Sequence, residues 1–168
     1  MLDSNISPTD LETIKTKNYR LIFCIGLPGC EKESQIEKVK NEFKYSSLCM
    51  KNIIEKEISS DTDIGKKINE FKSKIEPIPS EFLVSLLIKN IVNCESQTVL
   101  IDGFPNRLED ALYFEQNIMP IELILKFNGS EETCLNNLME AGNDTNLEEL
   151  RKIFETMTND LNKKSNFF

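Results

Sequence analysis

The stretch Arg20 to Gln35, RLIFCIGLPGCEKESQ, gathers residue types able to bind phosphate. An apolar run from Leu21 to Ile25 stops at Gly26, a short loop with Pro28 and Gly29 follows, and Lys32 and Ser34 open a helical pattern that continues through Ile36 and Val39. Glycines in such a loop let backbone N–H groups converge on an anion, the following helix N-terminus adds positive potential, and a lysine adds a full charge. The strict pattern wants glycine immediately before the lysine, whereas Glu31 stands there and Glu33 follows it. Two readings are open at this point. Gly26, Pro28, Gly29, Lys32 and Ser34 form a weak nucleotide cradle, or they form a strand-to-helix turn in which Lys32 pairs with Glu31 or Glu33. Asp102 is the second residue of chemical interest. It follows the β-favouring run Thr98 to Ile101, and a carboxylate at the C-terminal end of a strand beside the loop can hold magnesium through water. Its plain alternative is a cap on the turn Asp102-Gly103-Phe104-Pro105.

The elements that must position these residues alternate between strand and helix. Ser7-Pro8 starts a leader helix, with Ser7 or Thr9 as its cap, inside a leader segment of residues 1–18. Strands are expected at Tyr19 to Ile25, Tyr45 to Leu48, Thr98 to Ile101 and Ile121 to Phe127. Helices are expected at Lys32 to Phe43, at two short segments between Lys51 and Ile75 broken near Ser59-Ser60-Asp61, and after Ser80 as cap. Further helices run from Arg107 to Asn117, from Ser130 to Met139 and from Leu147 to Leu161. The helix after Ser80 is apolar over most of its circumference and must be well buried. This alternation implies a parallel α/β sheet with crossover helices.

At 168 residues with 39% hydrophobic and 29% charged residues, the chain is sized for one globular domain. The net charge of -8 excludes nucleic acid and anionic membranes as partners. Cys24, Cys30, Cys49, Cys94 and Cys134 form no CxxC pair and read as reduced thiols of a cytoplasmic protein. No apolar run approaches the ~20 residues a membrane-spanning helix needs.

GLPGCEKESQ resembles the GxPGxGKGTQ loop of the adenylate kinase-like nucleoside monophosphate kinases, and VLIDGFPNR resembles that family's strand followed by DGFPR. EISSDTDIGKKINE falls between them at the spacing of the family's monophosphate-binding helices, so the resemblance runs from about Tyr19 to Met157. It implies a three-layer phosphate-loop fold over residues 19–168, with a parallel sheet of about four strands in the order 2-3-1-4. It also implies a monophosphate-binding-like helical segment at about 50–78 and a reduced lid at 140–146. Magnesium-ATP is the cofactor the family would bring.

Set against that family, the chain departs where charge is handled. Phosphoryl transfer spreads negative charge over oxygens that arginines and magnesium neutralise, yet only Arg20, Arg107 and Arg151 are present. Met50, Lys51, Asn52 and Glu55 stand where the family has its threonine-glycine-aspartate stretch and an acceptor arginine. Asn106 takes the arginine position of DGFPR, with Arg107 one residue later, and Asp110 takes the place of the base-recognising glutamine. The lid segment Met139 to Thr145 is short and acidic, and Ile153 replaces a helix arginine. No residue emerges as catalytic; Lys32 and Arg107 stand as vestiges. If the chain is complete, the family's last strand and helix are expected to lack a counterpart, which would leave Ile121 to Phe127 as an open sheet edge for a protein partner, together with Phe167-Phe168.

The expected function is therefore a catalytically degenerate adenylate kinase-like protein serving as a structural or binding subunit of a larger assembly. By analogy with such modules in ciliary axonemes, the cilium or cytoskeleton is a candidate location. The alternatives are a divergent nucleoside monophosphate kinase, with Lys51, Lys56 or Lys66 replacing arginines, and a nucleotide sensor without turnover.

Overall fold

A computed structural model describes residues 6–140. The expected helix at Leu147 to Leu161, most of the lid segment, Arg151, Ile153 and Phe167-Phe168 lie outside them.

Four strands form one parallel sheet in the order β2-β3-β1-β4: β1 is Arg20–Gly26, β2 Ser46–Cys49, β3 Thr98–Asp102 and β4 Leu123–Phe127. The central strand β1 reads as an unbroken apolar run because both of its faces are covered. Leu21 and Phe23 point with Val99 and Ile101 toward one helical layer, while Ile22, Cys24 and Leu100 pack on the other side with Ile36. The first layer holds α1 (Pro8–Thr16), α5 (Ser80–Ile91) and α6 (Leu108–Asn117); α2 (Lys32–Phe43) supplies the second. Phe23 and Phe114 meet edge to face at 5.3 Å, and Phe104 closes the trio at 6.2 and 6.0 Å. Each of the three is buried, and burying a side chain of this size stabilises by roughly 1.5–3 kcal/mol.

Most elements follow the sequence pattern closely. α2 spans the expected residues, and the break near Ser59 separates α3 (Met50–Ser59) from α4 (Asp63–Ser73). Thr62 caps α4 by accepting from Gly65 N at 3.0 Å. At Gly65 a Cβ would stand 2.1 Å from Glu57 O, so α3 and α4 need glycine to pack this closely. α5 buries Phe82, Leu83, Val84, Leu86, Leu87, Ile88 and Ile91, as its apolar circumference requires.

Local corrections have physical causes. Ser7 is the N-cap of α1 but makes no side-chain cap bond. Ser80 is the first helical residue of α5 rather than its cap, and its hydroxyl donates to Asp110 Oδ1 at 2.6 Å. β4 begins at Leu123 instead of Ile121, because Ile121 N donates to Glu115 Oε1 at 3.0 Å and ladder pairing starts only at Ile22 with Leu123. No helix among the described residues is long and apolar enough to cross a membrane.

Candidate functional site

The loop between β1 and α2 lies at the C-terminal end of the two central strands, where a doubly wound sheet places its ligands. Its backbone forms a tight turn. Cys30 N donates to Leu27 O at 3.2 Å, closing a turn around Pro28 and Gly29. Gly29 has φ +79°, and a Cβ there would also stand 2.3 Å from Cys134 O. Glycine is therefore required twice at one position, for its dihedral and for the approach of α7 (Glu131–Glu140). Asn137 Nδ2 donates to Gly29 O at 2.8 Å and ties the same helix to the loop. Sequence reading missed both Cys134 and Asn137, since neither carries a local signal of contact with a loop more than a hundred residues earlier.

Glu31 occupies the left-handed region at φ 59° and ψ 21°, as the N-cap of α2 but without a side-chain cap bond. That dihedral is the one glycine adopts without penalty, so the chain keeps the loop's conformation while carrying a residue the conformation disfavours. Ser34 is exposed in the first turn of α2. Gly26 ends β1, where a Cβ would crowd Cys30 Sγ at 2.8 Å and Phe127 Cβ at 3.0 Å.

Lys32 does not point a free charge at this loop. Its ammonium is hydrogen-bonded to Glu33 Oε1 and lies 3.3 Å from Asp102 Oδ1. Burial alone would push the Lys32 amine down, but the Glu33 hydrogen bond and the Asp102 charge outweigh it and hold the amine above its ordinary value. Burial would likewise push the Glu33 carboxyl up, yet the Lys32 hydrogen bond, backbone donation and the charges of Lys32 and Lys51 bring it below the ordinary range. Of the two sequence-based pairings for Lys32, the one with Glu33 forms, and Asp102 joins it.

Asp102 ends β3 directly beside β1, in register with Cys24. Its Oδ1 is buried and accepts no hydrogen bond, although Lys32 Nζ lies 3.3 Å away as an ion-pair partner. A buried acceptor left over beside the loop fits a water of a hydrated magnesium ion. A magnesium ion held there would neutralise phosphate oxygens. The triphosphate itself fits this donor set poorly, since the lysine meant for it is shared by two carboxylates.

Arg107 is also committed. It is the N-cap of α6, and its backbone N donates to the carboxylate of the third helical residue, Asp110 Oδ2, at 2.9 Å. Its Nη2 donates to Asp110 Oδ1 at 2.7 Å and to Ile78 O at 2.8 Å. Asp110 is fully buried and also accepts from Ser80. Asn106, at the family's arginine position, is exposed. The three lysines weighed as replacements are all solvent-facing: Lys51 lies 4.0 Å from Glu55, Lys66 is flanked by Asp61 at 3.6 Å and Asp63 at 3.9 Å, and Lys56 is exposed. Arg20 sits at the opposite end of β1 from the loop.

Parallel strands around a glycine loop, with a carboxylate at the end of the neighbouring strand, define a phosphate-loop α/β protein. The sequence profile of the family described as Adenylate kinase matches residues 24–166. Adenylate kinase isoenzyme 1 of Gallus gallus is 30% identical over 154 residues, which is 87% of this chain and 79% of that protein. The Homo sapiens isoenzyme 1 is 31% identical over 149 residues, covering 84% of this chain and 77% of the relative. Uridylate kinase of Saccharomyces cerevisiae is 30% identical over 145 residues, with 81% and 71% covered. The chain belongs to the adenylate kinase family.

Proposed function

We propose that this protein is a catalytically degenerate member of the family that acts as a binding or structural subunit of a larger assembly. One observation carries the reading: Lys32, in the loop, and Arg107, one residue past the family's DGFPR arginine position, are each paired with carboxylates of the chain itself. A transition state of phosphoryl transfer needs those charges unengaged, and loss of one such donor typically lowers the rate on the order of a hundredfold. The surface offered to a protein partner is the β4 edge. β4 is the outermost strand on its side, pairs with β1 alone among the described residues, and leaves Leu123 42% exposed.

A second reading draws on Asp102 Oδ1, which is ion-paired with Lys32 and accepts no hydrogen bond, and on relatives named adenylate kinase and uridylate kinase. It makes the chain a divergent nucleoside monophosphate kinase, or a sensor that binds magnesium-ATP without turnover. The experiment that separates the readings is a multiple-turnover assay with magnesium-ATP and each nucleoside monophosphate in turn. The degenerate reading expects no turnover above the protein-free rate with any acceptor. Sustained turnover that is lost in Lys32→Ala would establish the kinase instead.

A further inference from the structure

We propose that Cys30 and Cys134 close as a reversible intramolecular disulfide that fastens the phosphate loop to α7. Both are free thiols, Cys30 half-buried in the loop and Cys134 buried near the start of α7. They share one small apolar cluster with Leu27, Leu135 and Leu138. Both also border Gly129: a Cβ built there would lie 2.6 Å from Cys134 Sγ and 3.3 Å from Cys30 Cβ, while Cys30 Sγ is turned toward Gly26, 2.8 Å from a Cβ built on that residue. Any side chain at 129 would crowd both cysteines, and a turn of the Cys30 side chain away from Gly26 brings its sulfur to the side of Cys134. The backbones that carry them are already side by side, with Asn137 bonded to Gly29 O and the Cys134 carbonyl against Gly29. A disulfide asks for Cβ atoms roughly 3.5–4.5 Å apart, and the two residues lie against the same glycine and in the same apolar cluster. The other thiols are placed elsewhere: Cys24 inside the α2 face of the sheet, Cys49 at the end of β2 and Cys94 beyond α5.

The oxidant is a small-molecule disulfide such as oxidised glutathione. The Cys30 thiol, the more accessible of the two, loses its proton to solvent, and the thiolate attacks one oxidant sulfur. The oxidant's S–S bond breaks and one small thiol leaves, so that Cys30 carries a mixed disulfide. Cys134, deprotonated in turn, attacks the Cys30 sulfur and expels the second small thiol. Two protein thiols are oxidised and one small disulfide is reduced to two thiols. Burial holds both protein thiols above their ordinary pKa, with the neighbouring Cys30 adding to the effect on Cys134, so the exchange quickens as pH rises. This inference does not depend on whether the loop holds a nucleotide.

The test equilibrates the folded full chain with oxidised glutathione at mildly alkaline pH, quenches with acid, alkylates the free thiols and maps non-reduced peptides by mass spectrometry. The expected product joins the Cys30 and Cys134 peptides, persists when Cys24, Cys49 and Cys94 are all changed to Ser, and disappears on treatment with dithiothreitol. Cys134→Ser is expected to trap glutathione on Cys30. Should that buried substitution prevent folding, Cys30→Ser, a loop change, is expected to abolish both the bridge and any modification of Cys134. Glutathione persisting on Cys30 of the wild type, an unmodified Cys30, or a bridge from either cysteine to a different partner would each overturn the proposal.

Discussion

Glu31 holds a left-handed backbone at the start of α2 and Glu33 pairs with Lys32, and each makes a separate prediction. Glu31 sits at φ 59°, where a residue with a Cβ costs about 1 kcal/mol relative to glycine. Glu31→Gly is expected to raise stability in denaturant unfolding by ~0.5–1 kcal/mol, part of the gain being offset by the greater freedom of glycine in the unfolded chain. An unchanged or lower midpoint would mean that the Glu31 side chain makes a compensating contact. Glu33 has a carboxyl lowered from 4.5 in the folded state. Its contribution to stability is therefore present in full above that ordinary value and is lost as pH falls through the lowered one. Lys32 behaves in the opposite sense: its amine is raised from 10.5, so its contribution is present below that value and is lost as pH climbs through the folded one. Glu33→Gln should flatten the acid limb of a plot of thermal midpoint against pH, and an unaltered acid limb would show that the pair adds nothing to stability.

At the scale of elements, two junctions hold the site in shape. The Arg107–Asp110–Ser80 network joins the N-termini of α5 and α6, and Asp110 is fully buried within it. Arg107→Ala leaves that carboxylate without its cation and is expected to cost ~2–4 kcal/mol in unfolding free energy. Asp110→Asn, which keeps the volume and leaves a half-exposed arginine, should cost less. The second junction is the seat of α7 on the loop, where Gly29→Ala would drive a Cβ to 2.3 Å from a backbone oxygen at φ +79°. Chemical denaturation should register a loss of ~2 kcal/mol or more, and a neutral result would mean that α7 yields easily. These junctions mark where the sequence stopped being legible. Lys32 to Phe43 could be read as a helix from the spacing of Ile36 and Val39 after a glycine loop. That Arg107 would turn back onto Asp110 and Ile78 O could not be read, because the carboxylate and a carbonyl 29 residues away meet at the guanidinium only once α5 and α6 are packed. Ser80 illustrates the same limit. As a local signal it is a helix cap, but in the packed structure Asp110 is the better acceptor for its hydroxyl.

For the whole molecule, the order of motifs carried most of the information. A glycine loop after one apolar strand and DGFP after another carry the family resemblance, and the observed sheet order β2-β3-β1-β4 is the one that resemblance implies. Where α7 would land was not available from that order, so the cysteine pair and Asn137 came only from the packing. A net charge of -8 surrounds a site whose cations are internally paired, and that balance sets the expectation for nucleotide binding. The central claim is that the carboxylates beside Lys32 leave the cradle without a free positive charge. Its most direct measurement is a calorimetric titration of magnesium-ATP into the wild-type protein and into the Glu31→Gly/Glu33→Gln double variant. The account predicts no measurable binding by the wild type at millimolar nucleotide and measurable binding by the double variant. Saturable micromolar binding by the wild type, abolished in Lys32→Ala, would contradict it.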